Sequence, residues 1–249
     1  MLPESSKAPR QAGTALAALP GAYGQWRNSR LGRITDALEQ QLMFAMIGPL
    51  TGLRVLDVGC GDGELAVALL RAGAQVTALD RDPCMLAAAR RRFRNEDAGI
   101  RLYQAAAEAL PFTDGSFDMV IAVTVLCFIQ DHEPVVREMA RILKPGGHLL
   151  IGELNRYSSW AAWRRIRGWA GHKLWRAARF RSAPELCRLA AAAGLDVQSV
   201  RCAVFYPPCG RAAVALAALD KWLSRRLAHG GAFLVLLAIK TKDKNSDPG

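Results

Sequence analysis

No Cys-x-x-Cys pair and no cysteine–histidine spacing typical of zinc ligands occurs in the 249 residues, so no metal site is expected. The six cysteines, Cys60, Cys84, Cys127, Cys187, Cys202 and Cys209, are too scattered for the disulfide framework of a small secreted domain. They read as reduced thiols of a reducing compartment. No stretch reaches the roughly 18 apolar residues that a membrane-spanning helix needs, which leaves only peripheral membrane contact. The alanine-rich run 14–19 is too short and weak for the core of a secretory signal, so the expected location is cytoplasmic. No internal repeat is visible. Acids are scarce: 22 Asp and Glu stand against 33 Lys and Arg, a formal charge of +11 that favours acidic partners or an anionic membrane face without choosing between them.

What is present is an ordinary globular composition, 51% hydrophobic and 22% charged, in a chain long enough for one large α/β domain. Residues 1–21, with Pro3, Pro9 and Pro20, read as a flexible arm, 22–239 as the domain and 240–249 as a frayed polar tail. An amphipathic helix is expected over 34–46. Short apolar runs then alternate with helical stretches: strands at 54–58, 75–79, 100–103, 117–123 and 148–152, and helices at 64–71, 84–93 and 133–142. Such alternation implies right-handed crossovers and a doubly wound, mostly parallel sheet with helices on both faces. A helix at 184–193 and two further apolar runs, 197–205 and 233–239 with a helical segment between them, close the domain.

The most informative stretch is Val55-Leu56-Asp57-Val58-Gly59-Cys60-Gly61-Asp62-Gly63, an apolar strand running into three alternate glycines before a helix. Glycine suits a tight turn that a ligand must approach closely. The G-x-G-x-G spacing departs from the G-x-G-x-x-G of dinucleotide-binding proteins, which disfavours an NAD-dependent oxidoreductase. Asp57 and Asp62 would repel a pyrophosphate and suit a ligand carrying positive charge. A plain tight turn is the alternative reading of the glycines alone. Asp80 ends the second strand about 20 residues on, where an acid can accept from both ribose hydroxyls. Asp82, just before Pro83, fits the cap of the next helix better.

Together with Ala107-Glu108-Ala109-Leu110-Pro111-Phe112, Gly115-Ser116-Phe117-Asp118 and Leu143-Lys144-Pro145-Gly146-Gly147, these motifs resemble the class I S-adenosylmethionine-dependent methyltransferases. The nearest type is the methyltransferase 11 domain, which includes ubiquinone and menaquinone biosynthesis enzymes, and the match spans roughly residues 53–154. The resemblance implies a Rossmann-like seven-stranded sheet with its last strand antiparallel, and S-adenosyl-L-methionine as cofactor. It puts Asp57, Gly59, Cys60, Gly61 and Gly63 beside the methionine part, Asp80 on the ribose, and Arg81 and Met85 near the adenine. Ala106 stands where the family often has an Asp for the adenine amino group, leaving Ala107 and Glu108 as candidates there. Val123, Thr124 and Leu126 would approach the cofactor and begin the acceptor pocket.

Methyl transfer from a sulfonium is an in-line displacement on an activated group, so alignment and exclusion of water are the protein's main tasks and no obligatory catalytic residue follows. A base is needed only for an acceptor that must lose a proton. Candidates near strand ends are His132, Glu153, Tyr157 and Tyr206, against the simpler reading of each as an ordinary loop residue. Cys127 is expected to pack as a small apolar side chain.

Residues 156–181 carry Trp160, Trp163, Trp169 and Trp175 with eight Lys or Arg and no acid. Trp160, Trp163, Ile166 and Ala170 recur near helical spacing, as for a lid over the acceptor site or, through Trp160, Trp163, Arg164 and Arg165, a contact with an anionic membrane. A solvated basic face is the alternative. The function expected is methylation of a small, partly apolar, quinone-like or lipid-like acceptor. An RNA methyltransferase or nucleic-acid-binding protein is the main alternative. The absence of an Asn-Pro-Pro-Tyr type tetrapeptide after the fourth strand, where base-directed relatives resemble one another, weighs against nucleic acid. A cofactor-binding protein without catalysis is the other.

Overall fold

The computed structural model describes residues 19–94 and 99–241. Two helices, α1 (Leu19–Asn28) and α2 (Arg30–Ile47), precede the sheet. Then come β1 (Arg54–Val58), α3 (Glu64–Arg71), β2 (Gln75–Asp80), α4 (Pro83–Arg94), β3 (Arg101–Gln104) and β4 (Phe117–Val123). A short 3-10 turn (Leu126–Phe128) leads to α5 (His132–Ile142) and β5 (Leu143–Leu154). The remainder is α6 (Ser159–Trp169), α7 (Lys173–Ala177), α8 (Ala183–Ala192), β6 (Leu195–Ala203), α9 (Gly210–Ser224) and β7 (Phe233–Lys240). The seven strands run in the order β3-β2-β1-β4-β5-β7-β6, and β7 alone is antiparallel to its neighbours.

The central strands β1, β4 and β7 read as nearly continuous apolar runs because helices cover both faces of the sheet there. Val55, Met119, Ile121, Phe233 and Val235 pack on one side with Leu38, Leu42, Val67 and Leu69. Leu56, Val58, Val120, Ala122, Leu234 and Leu236 pack on the other with Val135, Met139 and Leu186. Successive residues of β1, β4 and β7 therefore alternate between two cores, as the period of two requires.

The helix expected at 34–46 starts a turn earlier, where the Ser29 side chain accepts from the Gly32 N–H at 3.0 Å. The helix before it begins at Leu19, inside the stretch expected to be an arm; residues 1–18 and 242–249 lie outside the described residues. No described helix is long and apolar enough to cross a membrane.

The insert folds as α6 and α7, but the expected apolar stripe is split. Trp160, Ala161, Arg164 and Gly168 form the buried face of α6, while Trp163, Ile166 and Trp169 are exposed. Trp160 is buried because its indole N–H donates to the Tyr206 carbonyl at 2.8 Å. Arg164 is buried because its guanidinium lies over the Trp160 and Trp175 rings at 5.0 and 4.9 Å. Neither is available to a membrane, which corrects that expectation for Trp160 and Arg164. Trp163 and Arg165 remain at the surface.

Candidate active site

The site is built at the C-terminal ends of β1, β2 and β4, where an open α/β sheet binds its ligands. After β1 the chain turns through Gly59, Gly61 and Gly63, all left-handed with φ of 69°, 55° and 82°. Two of the three glycines are required by packing. A Cβ on Gly59 would lie 2.4 Å from Val125 Cγ2, and one on Gly63 2.5 Å from the Phe93 ring. At Gly61 a Cβ would meet nothing within 4 Å, so its bare backbone borders open space. The Leu79 carbonyl pins the turn by accepting from the N–H groups of Gly59 (2.7 Å) and Cys60 (2.9 Å).

Two carboxylates, Asp57 and Asp80, lie near enough at this turn for their charges to interact. Asp80 Oδ2 accepts from the Gly61 N–H at 2.9 Å and Oδ1 from the Asp82 N–H at 2.8 Å, so its orientation is set by backbone. Asp82 accepts from the Cys84 N–H at 2.7 Å, the expected cap on α4. Asp57 is 2% exposed, and its Oδ2 has no hydrogen-bond partner. Burial, helped by the charges of Asp80 and Asp62, pushes the Asp57 carboxyl up to about 7. A buried acid with a bare oxygen suits a cationic group on a ligand.

Asp62, whose charge the sequence placed in this turn, is held in an ion-pair network. Arg27 Nη1 approaches it at 3.2 Å and Arg92 Nη2 at 2.9 Å, and the same guanidiniums reach Glu64 at 2.7 and 2.9 Å. This network ties α1 to the glycine turn and α4, a link with no local sequence signal.

Around the Asp80 end, Arg81 and Ala106 are exposed, Met85 is half-buried and Ala107 is buried. Glu108 is exposed. Gln104, which the motifs did not single out, reaches the Arg81 carbonyl with its Nε2 at 3.4 Å. Cys60 is buried, its thiol raised well above the usual range by burial. Val123 and Thr124 are half-buried, and Thr124 is left-handed at φ 53°, its N–H donating to the Gly152 carbonyl at 2.7 Å. Leu126 does not line the site. Its side chain is fully buried in the second core, its N–H donates to Glu153 Oε1 at 2.8 Å and its carbonyl accepts from the Ile129 N–H.

The four base candidates are dispersed. Glu153 is fully buried and holds the turn after β4 through Leu126, with burial raising it to about 7. Tyr206 is 1% exposed, shares a 2.9 Å hydrogen bond with Thr35 Oγ1, and is pushed up to about 12 by burial. His132 begins α5 with its ring against the Arg181 guanidinium, and burial together with that cation lowers its pKa. Tyr157 is 69% exposed. Glu153 and Tyr206 are both shut off from solvent, and Glu153 Oε2, like Asp57 Oδ2, is buried without a hydrogen-bond partner. Away from the glycine turn, Glu39 on α2 is raised to about 8 by burial and by Asp36. No group of three or more His, Cys, Asp or Glu that could hold a metal occurs among the described residues.

Comparison with known proteins agrees with this geometry. A family model described as a methyltransferase domain matches residues 56–151. An uncharacterised protein of Mycobacterium tuberculosis is 35% identical over 208 residues, 83% of this chain and 66% of that protein. A ubiquinone biosynthesis O-methyltransferase of Methylocella silvestris is 39% identical over 166 residues, 64% of each. The chain thus spans just under two thirds of the length of these curated relatives. A solved SAM-dependent methyltransferase of Thermotoga maritima superposes with a TM-score of 0.70 at 25% identity, covering 92% of this chain and 99% of the other. A G-x-G-x-G turn beside a buried acid with a bare oxygen, an acid at the end of the next strand and an antiparallel last strand thus occur together in a chain that matches these proteins along most of its length. Residues 56–151 thus match the methyltransferase domain, within a fold shared with a solved S-adenosylmethionine-dependent methyltransferase.

Proposed function

We propose that the chain transfers a methyl group from S-adenosylmethionine to a small, partly apolar acceptor. The observation that carries the reading is the pairing of Asp57, buried with a bare oxygen, with Asp80, whose carboxylate is oriented by two backbone N–H groups. The open space over Gly61 fits the methionine part, Asp57 its amino group and Asp80 the ribose hydroxyls. Arg81, Met85, Ala106, Ala107 and Glu108 would border the adenine, with Gln104 adding an amide near the place where the family often has an acid. S-adenosylmethionine, when bound, supplies a methyl group already activated on a sulfonium. The chain's residues have to hold the donor, orient the acceptor near Val123 and Thr124, and keep water out.

A quinone-like or lipid-like acceptor is supported by the likeness to ubiquinone biosynthesis O-methyltransferases and by exposed apolar side chains on α6 and α9. Trp163, Ile166 and Trp169 on α6 and Leu219 and Trp222 on α9 are exposed, with Arg165 and Arg167 among them. That combination suits peripheral contact with an anionic membrane, from which an apolar acceptor would be drawn. The fold also occurs in a [4+2]-cyclase at 20% identity, so the fold by itself does not specify the chemistry.

The test is calorimetric titration of wild type and Asp80→Ala with S-adenosylmethionine and with NAD. Binding of S-adenosylmethionine alone, weakened at least tenfold (about 1.4 kcal/mol) by the substitution, supports the reading. A folded wild type that binds neither ligand overturns it.

A further inference from the structure

Beside the ends of β4 and β5, on the side of β1 away from β2, the surface holds a concavity walled largely by cations. A cavity of about 380 Å³ lies between α6, α7 and residues 178–181, and Arg156, Arg165, Arg176, Arg179 and Arg181 line it. Backbone hydrogen bonds set its position. The Arg179 N–H donates to the Cys127 carbonyl at 2.9 Å, the Arg181 N–H to the Leu154 carbonyl at 3.1 Å, and the Arg156 N–H to the Arg181 carbonyl at 2.7 Å. Residues 179–181 are thus laid along the ends of the two strands that flank the acceptor side of the sheet.

Five guanidiniums around one cavity repel one another unless an anion joins them. Among the described residues, the only ion pair they make is Arg156 with Glu185 at 2.8 Å, and that carboxylate also caps α8 by accepting from the Ser182 N–H and hydroxyl. Arg181 donates to the His132 ring, but its Nε is buried without a partner. Arg176 and Arg179 are exposed and make no ion pair among the described residues. A guanidinium is a planar fork that matches the oxygens of a phosphate group. Trp169, 83% exposed, offers flat apolar surface, and half-buried Trp175, whose ring carries Arg164 and His172, completes the wall, so the ligand has an uncharged body as well as an anionic end.

We propose that this cavity is an anion anchor: it holds a phosphate group carried by the acceptor, whose apolar body lies against the tryptophans and extends toward Val123 and Thr124. As an assignment of the acceptor's class, this rests on the methyl-transfer reading; phosphate binding by the cavity does not. The phosphate is presented either by a free phosphate ester or by a lipid headgroup.

The experiment compares wild type with Arg176→Ala/Arg179→Ala and with a control of equal charge loss, Arg90→Ala/Arg101→Ala, whose residues lie at the β2–β3 side of the sheet and are exposed. Each protein is titrated with inorganic diphosphate at low salt, following tryptophan fluorescence, and floated with phosphatidylcholine vesicles with and without phosphatidic acid. S-adenosylmethionine affinity is measured on each. The expected result is saturable diphosphate binding that the Arg176/Arg179 pair weakens at least tenfold, the control less than twofold, with S-adenosylmethionine affinity the same in all three. If retention by phosphatidic acid vesicles is also lost in the Arg176/Arg179 variant alone, a headgroup is the source; if vesicles are not retained, a free ester is. Absence of both diphosphate binding and phosphatidic-acid-dependent flotation overturns the proposal, as does an equal loss in the control. A wild type that binds diphosphate but no S-adenosylmethionine overturns the methyl-transfer reading and leaves the anion site standing.

Discussion

Trp160 and Tyr206 are joined by a 2.8 Å hydrogen bond from indole N–H to backbone carbonyl, and their rings meet edge-on at 6.5 Å. The contact turns the first turn of the basic insert into core. Tyr206 in turn bonds Thr35 on α2, so the insert, the segment after β6 and the N-terminal helices form one packed unit.

Trp160→Ala is therefore expected to destabilise the protein by about 3–5 kcal/mol. Trp160→Phe, which keeps much of the packing and loses the hydrogen bond, is expected to cost about 1–2 kcal/mol. Trp169→Ala, at a site 83% exposed, is expected to leave stability unchanged within about 0.5 kcal/mol. Denaturant melts of the three variants check this ordering.

The glycines of the turn separate folding from binding. Gly59→Ala drives a methyl into Val125, and Gly63→Ala into Phe93, so both are expected to lose several kcal/mol or fail to fold. Gly61→Ala meets no atom and costs only the left-handed backbone, about 1–2 kcal/mol, yet it fills the space assigned to the methionine part. A folded Gly61→Ala protein with S-adenosylmethionine affinity reduced at least tenfold is the expected outcome of paired melts and titrations.

Asp57 makes stability and binding respond to pH in opposite senses. An ordinary aspartate titrates near 3.8, whereas folded, unliganded Asp57 holds its proton to about 7. Between those values the folded state binds more protons than the unfolded one, so unliganded stability falls as pH rises through the window and levels off above it. A cationic ligand needs the ionised carboxylate, so S-adenosylmethionine affinity is expected to rise with pH up to about 7, with proton release on binding below that point. Asp57→Asn is expected to remove the pH dependence and the proton release. Glu153, also near 7, steepens the stability profile in the same direction, and Glu153→Gln is expected to flatten its share without altering the ligand's pH response. Melting curves and calorimetry in buffers of different ionisation heat measure both effects.

Arg27 is 13% exposed and Asp62 14%, between the limits of a surface and a buried pair, so Arg27→Ala is expected to cost about 1–3 kcal/mol. The loss falls on α1, which the network tethers to the glycine turn. Hydrogen exchange is expected to quicken in α1 and to stay unchanged in β1 and β4.

The sheet and the cofactor turn were legible because their signals are local. β1, α3 and β4 begin and end where periodicity and the glycines put them. Asp80 and Asp82 were separable because each sits at a fixed step from a strand end and a proline. The helix at Leu19–Asn28 is not legible locally: Pro20, Gly21 and Gly24 resemble a linker, and its ion pairs run through Arg27 to residues 35 and 37 positions away.

Sequence alone determined the doubly wound order of elements, the G-x-G-x-G turn and the acids beside it, because these depend on residue spacing along one strand and one turn. Only the tertiary structure decided which side chains of the basic insert are core and which are surface, that Glu153 and Tyr206 are buried, that Asp62 is paired with Arg27 and Arg92, and that five arginines meet in one cavity. Each of those depends on contacts between segments far apart in the chain, where burial and charge are set by whatever packs opposite.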